Sequence, residues 1–434
     1  MAPDEKAVHH RSSPGARWCG HVPSPGLIWL VEQIWGPSAD SGVVVTVDGC
    51  PPDHRLVEQY LIVPSVESAR MLVPSRSRNV ARASLVAYNQ LRSRRTRLAK
   101  RAGALALTFG LTRLICRNRL NICVRANVRE EQLGDLLLIA HVAAQVGRGP
   151  LTAAVGLGSP GPNRKPTLQL FTADGSPAAY VKVGWNDYTR MLVERETSVL
   201  RRLSGSTDLR LPSRPAVLSS GMWQGLSFLA TEPLPRSIRG RISARLDVDG
   251  ATLRVASLGR THTSRLEDSD FARHLLDQLR TAAGTGSLDP LESELTKRYL
   301  QQLLSRYGRA PVKFGAWHGD WSSWNLGQAD GQLWVWDWEH FGEDAPLGFD
   351  PVHQAFQSRF VSRQTDAATA LDAAETDLQL HVQALDVQPA QVRLIVSSYL
   401  LEMLCRACQM DRLGAGWNPR LRQGLLSAMA RREP

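Results

Sequence analysis

The stretch FGAWHGDWSSWNLGQADGQLWVWDWEHFGEDAPLGFD, residues 314–350, decides how this chain folds. An HGD tripeptide ends at Asp320, and Asn325 follows five residues later. The DG pair at 330–331 is typical of a two-residue hairpin turn, and the QLWVW run after it is typical of a strand. That strand ends at Asp337, so the hairpin is predicted to bring Asn325 and Asp337 back to one end, close to Asp320.

This grouping of side chains indicates a site that binds a metal ion and transfers a phosphoryl group. Two carboxylates and an amide oxygen are the hard oxygen ligands that Mg²⁺ prefers. Phosphoryl transfer depends on a metal, on positioning and on one base for the attacking hydroxyl, because its transition state spreads charge over the phosphoryl oxygens. In that scheme Asp320 receives the proton of an acceptor hydroxyl, while Asn325 and Asp337 hold Mg²⁺. Asp337 is the expected main ligand because it carries the charge.

The HGDxxxxN pattern, followed by a strand and the DWE triplet 337–339, resembles the aminoglycoside phosphotransferase and choline kinase group. The resemblance extends from Leu151 to the last residue, although specific motifs cover only short segments. It implies an α+β, two-lobed protein-kinase-like fold with a β-rich N-terminal lobe and a mainly helical C-terminal lobe. It also implies ATP or GTP with Mg²⁺ as cofactors and a hydroxyl of a small molecule as acceptor. Glu339 replaces the glycine of the protein-kinase DFG motif, which disfavours a protein kinase.

The same resemblance gives roles to two residues before this segment. Lys182 in YVKV matches the strand lysine that contacts the nucleotide phosphates, and Glu196 in ERETSVLRRL matches the helix glutamate that pairs with it. Glu194 is the alternative partner. Because the chain contains many arginines and few lysines, a lysine in a strand indicates a need for a compact charge on phosphate. Without the motifs, Lys182 and Glu196 would be interpreted as solvated surface residues.

Two further segments match the nucleotide site by position. Gly156, Gly158 and Gly161 fit a GxGxxG pattern between two predicted strands, where a phosphate-covering loop belongs in this family, but the segment could equally be a hairpin tip. Ala230 and Glu232 lie where the adenine-binding linker of the family should fall. Their contacts with a nucleotide would be made largely by the backbone.

Other residues near the HGD motif are expected to support it. His318 is predicted to hold the catalytic loop through hydrogen bonds rather than to act as a base. Asp350 resembles a family aspartate that braces this loop, so its predicted role is structural. Most tryptophans here are expected to be packing residues, although Trp321 or Trp324 could line an acceptor pocket.

The length of 434 residues and the pattern of elements predict several units. We predict a flexible tail at 1–24, a small basic α/β accessory unit at 25–135, a kinase-like N-terminal lobe at 136–232 and a helical C-terminal lobe at 233–434.

The accessory unit carries an unusual charge. The chain has a formal net charge of +11, and between Ser68 and Arg129 there are 15 Arg and Lys residues and no Asp or Glu. In this region RSRRTRLAKRAG runs directly into the apolar stretch ALALTFGLTRLIC. One interpretation is a helix that lies peripherally on an anionic membrane. The alternative is a buried helix with a solvated basic flank that faces a partner. Nucleic acid is disfavoured as a partner because no recognised binding motif accompanies the charge.

The sequence also predicts a location. The first 25 residues lack the apolar core of a secretory signal, and no apolar run reaches the roughly 20 residues of a membrane span. The six cysteines are scattered, which predicts free thiols in a reducing cytoplasm rather than a disulfide framework. Cys405 and Cys408 form a CxxC motif in an apolar stretch and are predicted to be buried hydrophobic residues.

Two functions other than catalysis stay open at this point. A nucleotide-binding pseudokinase with a regulatory role would be indicated by a missing catalytic residue, but none is missing. A binder of anionic surfaces could act through residues 68–129. The sequence indicates neither the acceptor nor the oligomeric state.

Overall fold

The structure is a computed structural model, and it describes residues 16–18, 22–47, 49–87, 91, 94–108, 118–158, 161–206, 208 and 210–434. The predicted tail at 1–24 and part of the predicted glycine loop therefore lie largely outside the described residues. Within the tail, the pair Ala16–Arg17 forms a short strand that runs parallel to residues 45–46.

The described residues before Thr152, here called the accessory region, form five strands and five helices. Its strands are β1 (Ala16–Arg17), β2 (Val43–Thr46), β3 (His54–Val63), β4 (Met71–Pro74) and β5 (Arg119–Arg125). Its helices are α1 (Pro25–Ile34), α2 (Arg78–Val86), α3 (Arg94–Thr108), α4 (Leu133–Leu136) and α5 (Leu138–Val146). Strands β3 and β4 pair antiparallel, with Tyr60 opposite Pro74 and Val63 opposite Met71.

The N-terminal lobe is an antiparallel sheet with one helix packed on it. Its elements are β6 (Thr152–Gly156), β7 (Thr167–Phe171), β8 (Pro177–Gly184), α6 (Asp187–Ser204), β9 (Val217–Trp223) and β10 (Leu226–Thr231). The strands lie in the order β6-β7-β8-β10-β9. Helix α6 begins after Asn186, whose side chain accepts a hydrogen bond from the backbone N–H of Thr189. Such a cap satisfies a backbone donor that the first helical turn leaves unpaired.

The accessory region and the N-terminal lobe share one sheet. Strand β4 pairs with β6, with Met71 opposite Gly156 and Leu72 opposite Val155, so the order β1-β2-β5-β3-β4 continues directly into the lobe as a ten-stranded sheet. One hydrophobic core covers both parts, including Leu30 of the accessory region and Phe228 of the lobe. The accessory region is therefore an extension of the lobe and does not pack as a separate body.

The C-terminal lobe is mainly helical. Its helices are α7 (Val248–Ala256), α8 (Asp270–Gly284), α9 (Pro290–Tyr307), α10 (Phe349–Gln357), α11 (Ala367–His381), α12 (Val392–Arg412) and α13 (Pro419–Arg431), with a π-helical turn at Ser358–Ser362. Its strands are β11 (His262–Arg265), β12 (Pro311–Trp317), β13 (Leu326–Ala329), β14 (Gln332–Val335) and β15 (Gly342–Pro346). The prediction of an α+β fold with a β-rich N-terminal lobe and a mainly helical C-terminal lobe is confirmed.

The hairpin predicted from the DG pair is also confirmed. Strands β13 and β14 pair from Leu326 opposite Val335 to Ala329 opposite Gln332. At the turn, Asp330 and Gly331 have φ angles of 50° and 78°. Positive φ at both positions is the geometry that matches the twist of a two-residue hairpin, and Asp-Gly is a preferred pair for it.

The cysteine prediction is partly wrong. Cys50 and Cys123 form a disulfide that joins the segment after β2 to β5, across 73 residues of sequence. Scattered positions gave no sign of this pairing, because the partners meet only when β5 pairs with β2 and β3. Cys405 and Cys408 are free and buried, as predicted.

None of the helices among the described residues combines the length and the apolar character needed to cross a bilayer.

We expect the Cys50–Cys123 disulfide to stabilise the protein by about 4 kcal/mol, because the cross-link closes a long loop in the unfolded chain. Urea unfolding of the wild type and of the Cys50→Ser/Cys123→Ser variant should show this difference in the free energy of unfolding. Dithiothreitol should destabilise the wild type and leave the variant unchanged. Equal stability of the oxidised wild type and the variant would contradict the expectation.

Candidate functional site

A cavity of about 510 Å³ lies between the two lobes. Side chains of both lobes line it, namely Gln169, Tyr180, Lys182, Glu196, Leu229, Thr231 and Glu232 from the N-terminal lobe and Trp324, Asn325, Trp336, Asp337 and Val361 from the C-terminal lobe. Its volume is within the range of cavities that hold small ligands. The two predicted metal ligands and the predicted phosphate-binding lysine thus face one cavity.

Lys182 lies at the centre of a buried group of charges. Its Nζ is 2.5 Å from Oε2 of Glu196 and contacts Oδ1 of Asp337. Oε2 of Glu339 lies 3.7 Å from the same ammonium group. Helix α6 presents Glu196 to the core and Glu194 to solvent, so the structure brings Glu196, rather than its alternative, to the lysine.

Asp337 is held in an unusual environment directly after strand β14. Its φ of 70° is a left-handed conformation that non-glycine residues adopt at a cost of about 1–3 kcal/mol, and such strain is common at functional sites. Burial, reinforced by the neighbouring carboxylate of Glu339, raises the pKa of Asp337, while Lys182 opposes this rise. The carboxylates of Glu196, Asp337 and Glu339 lie within 4.8 Å of one another, so the site is suited to an additional cation.

The predicted base and the predicted amide ligand are in direct contact. Asn325 donates from Nδ2 to Oδ2 of Asp320 at 2.8 Å and to the carbonyl oxygen of Asp320 at 3.1 Å. Both of these hydrogen bonds use the amide nitrogen of Asn325, so its Oδ1 is the atom suited to a metal. The structure therefore brings Asp320, Asn325 and Asp337 together, as the hairpin geometry predicts.

The second carboxylate oxygen of Asp320, Oδ1, contacts His353, and His353 is in turn held by Tyr399. The sequence singles out neither residue. Nε2 of His353 lies 3.0 Å from Oδ1 of Asp320, and Nδ1 of His353 lies 2.9 Å from the hydroxyl of Tyr399. If the Tyr399 hydroxyl donates to Nδ1, the imidazole proton is on Nε2 and is donated to Asp320. Burial alone would raise the pKa of Asp320, but His353 outweighs it and keeps the pKa below its usual range.

Asp350 and His318 occupy the supporting positions expected of them. Asp350 accepts hydrogen bonds from the backbone N–H groups of His318 at 2.8 Å and Gly319 at 3.1 Å. His318 is completely buried, its Nδ1 accepts from the backbone N–H of Asp320 at 3.2 Å, and burial lowers its pKa to about 4. A neutral buried imidazole beside Trp338 is a structural group.

Position 319 requires a glycine because the backbone of His340 lies close to it. Its φ is +84°, and a Cβ at this position would lie 2.0 Å from the carbonyl oxygen of His340. Arg406, which the sequence also does not single out, donates to the carbonyl oxygens of Gly319 at 2.7 Å and His340 at 3.3 Å. One guanidinium thus joins the loop of the HGD motif to the segment that follows Asp337.

A second buried lysine, which the sequence gives no reason to select, completes the group of charges. Lys165 lies just before β7, and its Nζ donates to Oε1 of Glu339 at 2.8 Å and to Oδ1 of Asn163 at 2.6 Å. Asn163 donates to the same carboxylate oxygen at 3.0 Å. Burial would raise the pKa of Glu339, but Lys165 and then Lys182 outweigh it and keep the pKa low.

The remaining predicted residues differ in their relation to the cavity. Gly156, Gly158 and Gly161 do not line it, although Gly158 has a φ of +73° and directs the loop that carries Lys165. Ala230 packs in the hydrophobic core, while Glu232 and the residues on either side of Ala230 line the cavity.

The two tryptophans considered for an acceptor pocket differ in exposure. Trp321 is fully buried and does not line the cavity, whereas Trp324 is 43% exposed and lines it. Gln169 also lines the cavity, and its buried Oε1 has no hydrogen-bond partner among the described residues, so it can accept a hydrogen bond from a ligand.

The residues fit the Mg²⁺ that the sequence motifs imply. A carboxylate of Asp337 and an amide oxygen of Asn325 face the same cavity, and both are hard oxygen donors. The excess of carboxylates around Asp337 further favours a divalent cation over an uncharged ligand.

No protein-family model matches the chain, and no curated protein matches it either. Solved structures with a similar fold include a ternary complex of a thermostable mutant of aminoglycoside phosphotransferase APH(4)-Ia with ADP and hygromycin B. It is 15% identical, covers 67% of this chain and 97% of its own, and has a TM-score of 0.41.

Two further similar structures are the gentamicin complex of APH(2")-IIa and the choline kinase LicA from Streptococcus pneumoniae. Both are 15% identical to this chain; they cover 71% and 61% of it and 97% and 89% of their own chains, with TM-scores of 0.43 and 0.36. Because these TM-scores are below 0.5, we base the functional assignment on the side chains of this protein alone.

We expect Lys165→Met to lower the free energy of unfolding by about 3 kcal/mol, because it leaves the Glu339 carboxylate buried beside one cation fewer. The Lys165→Met/Glu339→Gln variant should recover part of the loss. Lys297→Met removes an exposed lysine of helix α9 and should change the stability by less than about 0.5 kcal/mol. Urea unfolding measures all three, and an equal effect of the two single lysine variants would contradict the role of the buried pair.

Proposed function

We propose that this protein is a phosphotransferase that moves the γ-phosphate of ATP or GTP to a hydroxyl of a small molecule. The observation that supports this most strongly is the convergence of Lys182, Asn325 and Asp337 on one cavity between the lobes, with Asp320 hydrogen-bonded to Asn325. A lysine, two hard oxygen ligands and a carboxylate base are the groups that phosphoryl transfer requires.

Binding of the nucleotide is assigned to the two faces of the cavity. Lys182 contacts the phosphates, and Glu196 keeps its ammonium group in place. Asn325 and Asp337 would hold Mg²⁺, which would neutralise the charge that develops on the phosphoryl oxygens. Gln169 and Thr231 line the cavity on the side of the sheet, where they can donate to or accept from the nucleoside.

Asp320 is assigned as the base that orients the acceptor. In a loose transition state the hydroxyl loses its proton late, so a carboxylate with a low pKa serves mainly to align the hydroxyl and then takes the proton. The hydrogen bonds from Asn325 and His353 fix the orientation of both carboxylate oxygens. We place the acceptor beside Trp324, whose exposed ring lies at the cavity next to Asn325 in sequence.

The direct test is nucleotide turnover with Mg²⁺ over a panel of hydroxylated metabolites. Wild-type protein should phosphorylate at least one acceptor, and Asp320→Ala should lower kcat about 10³-fold, because general-base contributions are typically 10²–10⁴-fold. Asp277→Ala, which removes an exposed aspartate of helix α8, is the matched control and should retain full activity.

Two results would contradict the proposal. Equal turnover by wild type and Asp320→Ala would remove the base assignment. Tight nucleotide binding without turnover of any acceptor would favour a pseudokinase with a regulatory role.

We expect His353→Leu to lower kcat about 10²-fold with little change in the KM for the nucleotide, because His353 positions the base and does not touch the nucleotide. Without the hydrogen bond from Nε2, the pKa of Asp320 rises. Since Asp320 must be ionised, the acidic limb of the pH–rate profile should move to higher pH. His353→Gln retains a neutral donor and should restore part of the rate. An unchanged acidic limb in His353→Leu would show a merely structural role.

A further inference from the structure

The outward face of helix α3 in the accessory region is apolar. Leu98, Ala102 and Leu105 are all exposed, and the two leucines are 66% and 59% accessible to solvent. Their spacing of four and then three residues places them in one stripe along the helix. The opposite face of α3 packs against the rest of the protein. Ala104 on this face is buried, and Gly103 faces the side chain of Leu85 of helix α2.

Basic side chains border this stripe on both sides. At 100° per residue, Arg95 and Arg101 lie about 60° to either side of Leu98 and are both exposed. Neither has an ion-pair partner among the residues that the structure describes. The sequence from Ser68 to Arg129 contains no Asp or Glu, so counter-charges for these arginines must come from outside this segment.

An apolar stripe with an arginine on either side matches one kind of partner. Apolar side chains enter the boundary between lipid headgroups and acyl chains, while the flanking cations attract anionic headgroups. A nucleic acid would use the arginines but would gain nothing from two exposed leucines. A folded protein partner would need a counter-surface that is both apolar and acidic.

The accessory region contacts the proposed catalytic site close to helix α3 in sequence. Leu91, three residues before α3, lines the cavity that contains Lys182 and Asp337 and lies against Gly240 of the C-terminal lobe. A residue close to α3 in sequence thus contacts the cavity between the lobes.

We propose that the outward face of α3, formed by Leu98, Ala102 and Leu105 with Arg95 and Arg101, docks onto the anionic phospholipid surface of a membrane. This inference does not depend on the proposed kinase activity. In this proposal the basic accessory region attaches the protein to the membrane surface. The leucines supply modest apolar burial, and the arginines supply attraction to the anionic headgroups.

The test is co-sedimentation of the full-length protein with vesicles of phosphatidylcholine alone and with an equimolar mixture of phosphatidylcholine and phosphatidylglycerol. At low ionic strength the protein should sediment only with the anionic vesicles, and high salt should release it because exposed charges are screened. Leu98→Ser/Leu105→Ser should weaken the partition coefficient about tenfold through lost apolar burial. Arg95→Gln/Arg101→Gln should weaken it about tenfold or more, since each cation near such a surface contributes about 1 kcal/mol.

The matched control is Leu291→Ser/Leu380→Ser, which removes two leucines of the C-terminal lobe that are 83% and 78% exposed. It should bind vesicles as the wild type does, and all variants should melt at the wild-type temperature because every substituted side chain is exposed. Absence of sedimentation with anionic vesicles at low salt would overturn the proposal, as would equal binding to the uncharged vesicles. Sedimentation that RNA abolishes and that the Leu98/Leu105 variant leaves unchanged would assign the surface to nucleic acid and would also overturn it.

Discussion

The ammonium group of Lys182, enclosed by the carboxylates of Glu196, Asp337 and Glu339, is the interaction on which the rest of the site depends. Buried charges are tolerated only where they are paired, and removing one partner from such a pair is strongly destabilising. The three carboxylates come from helix α6 and from the segment after β14. A single lysine in β8 therefore joins three elements and connects the N-terminal lobe to the segment after the β13–β14 hairpin.

The charges around Lys182 do not cancel, and the excess negative charge favours the binding of a cation. Lys165 supplies a second ammonium group through Glu339, but two lysines face three carboxylates. A divalent cation held by Asp337 and Asn325 would neutralise the excess negative charge of the carboxylates. The negative charge of the nucleotide phosphates would in turn be balanced by this cation. The same arrangement explains why the pKa of Asp337 is raised while that of Glu339, between two lysines, is lowered.

The parts of the site that the sequence predicts are those encoded within short segments. The hairpin turn at Asp330 and Gly331 determines the proximity of Asn325 and Asp337, because the pairing partners are neighbours along the chain. His353 and Tyr399, which hold Asp320, come from helices α10 and α12 and meet only when these helices pack. A buried histidine and tyrosine in apolar helices carry no pattern that distinguishes them from core residues.

Long-range pairing limits the prediction of the fold in the same way. The two lobes follow from motifs, but the continuation of the sheet from β4 to β6 and the Cys50–Cys123 disulfide join segments that no local pattern relates. The pair of Lys165 and Glu339 is 174 residues apart in sequence. In each case the contact depends on how complete elements pack, which neither periodicity nor residue spacing encodes.

The measurement that tests this account most directly is a calorimetric titration of ATP into the protein with and without Mg²⁺, for wild type and Asp337→Asn. If the excess of carboxylates around Lys182 is a metal and phosphate site, Mg²⁺ should strengthen ATP binding by the wild type at least tenfold, about 1.4 kcal/mol. The Asp337→Asn protein should lose this dependence on Mg²⁺. An ATP affinity of the wild type that does not respond to Mg²⁺, or a response that Asp337→Asn retains in full, would contradict it.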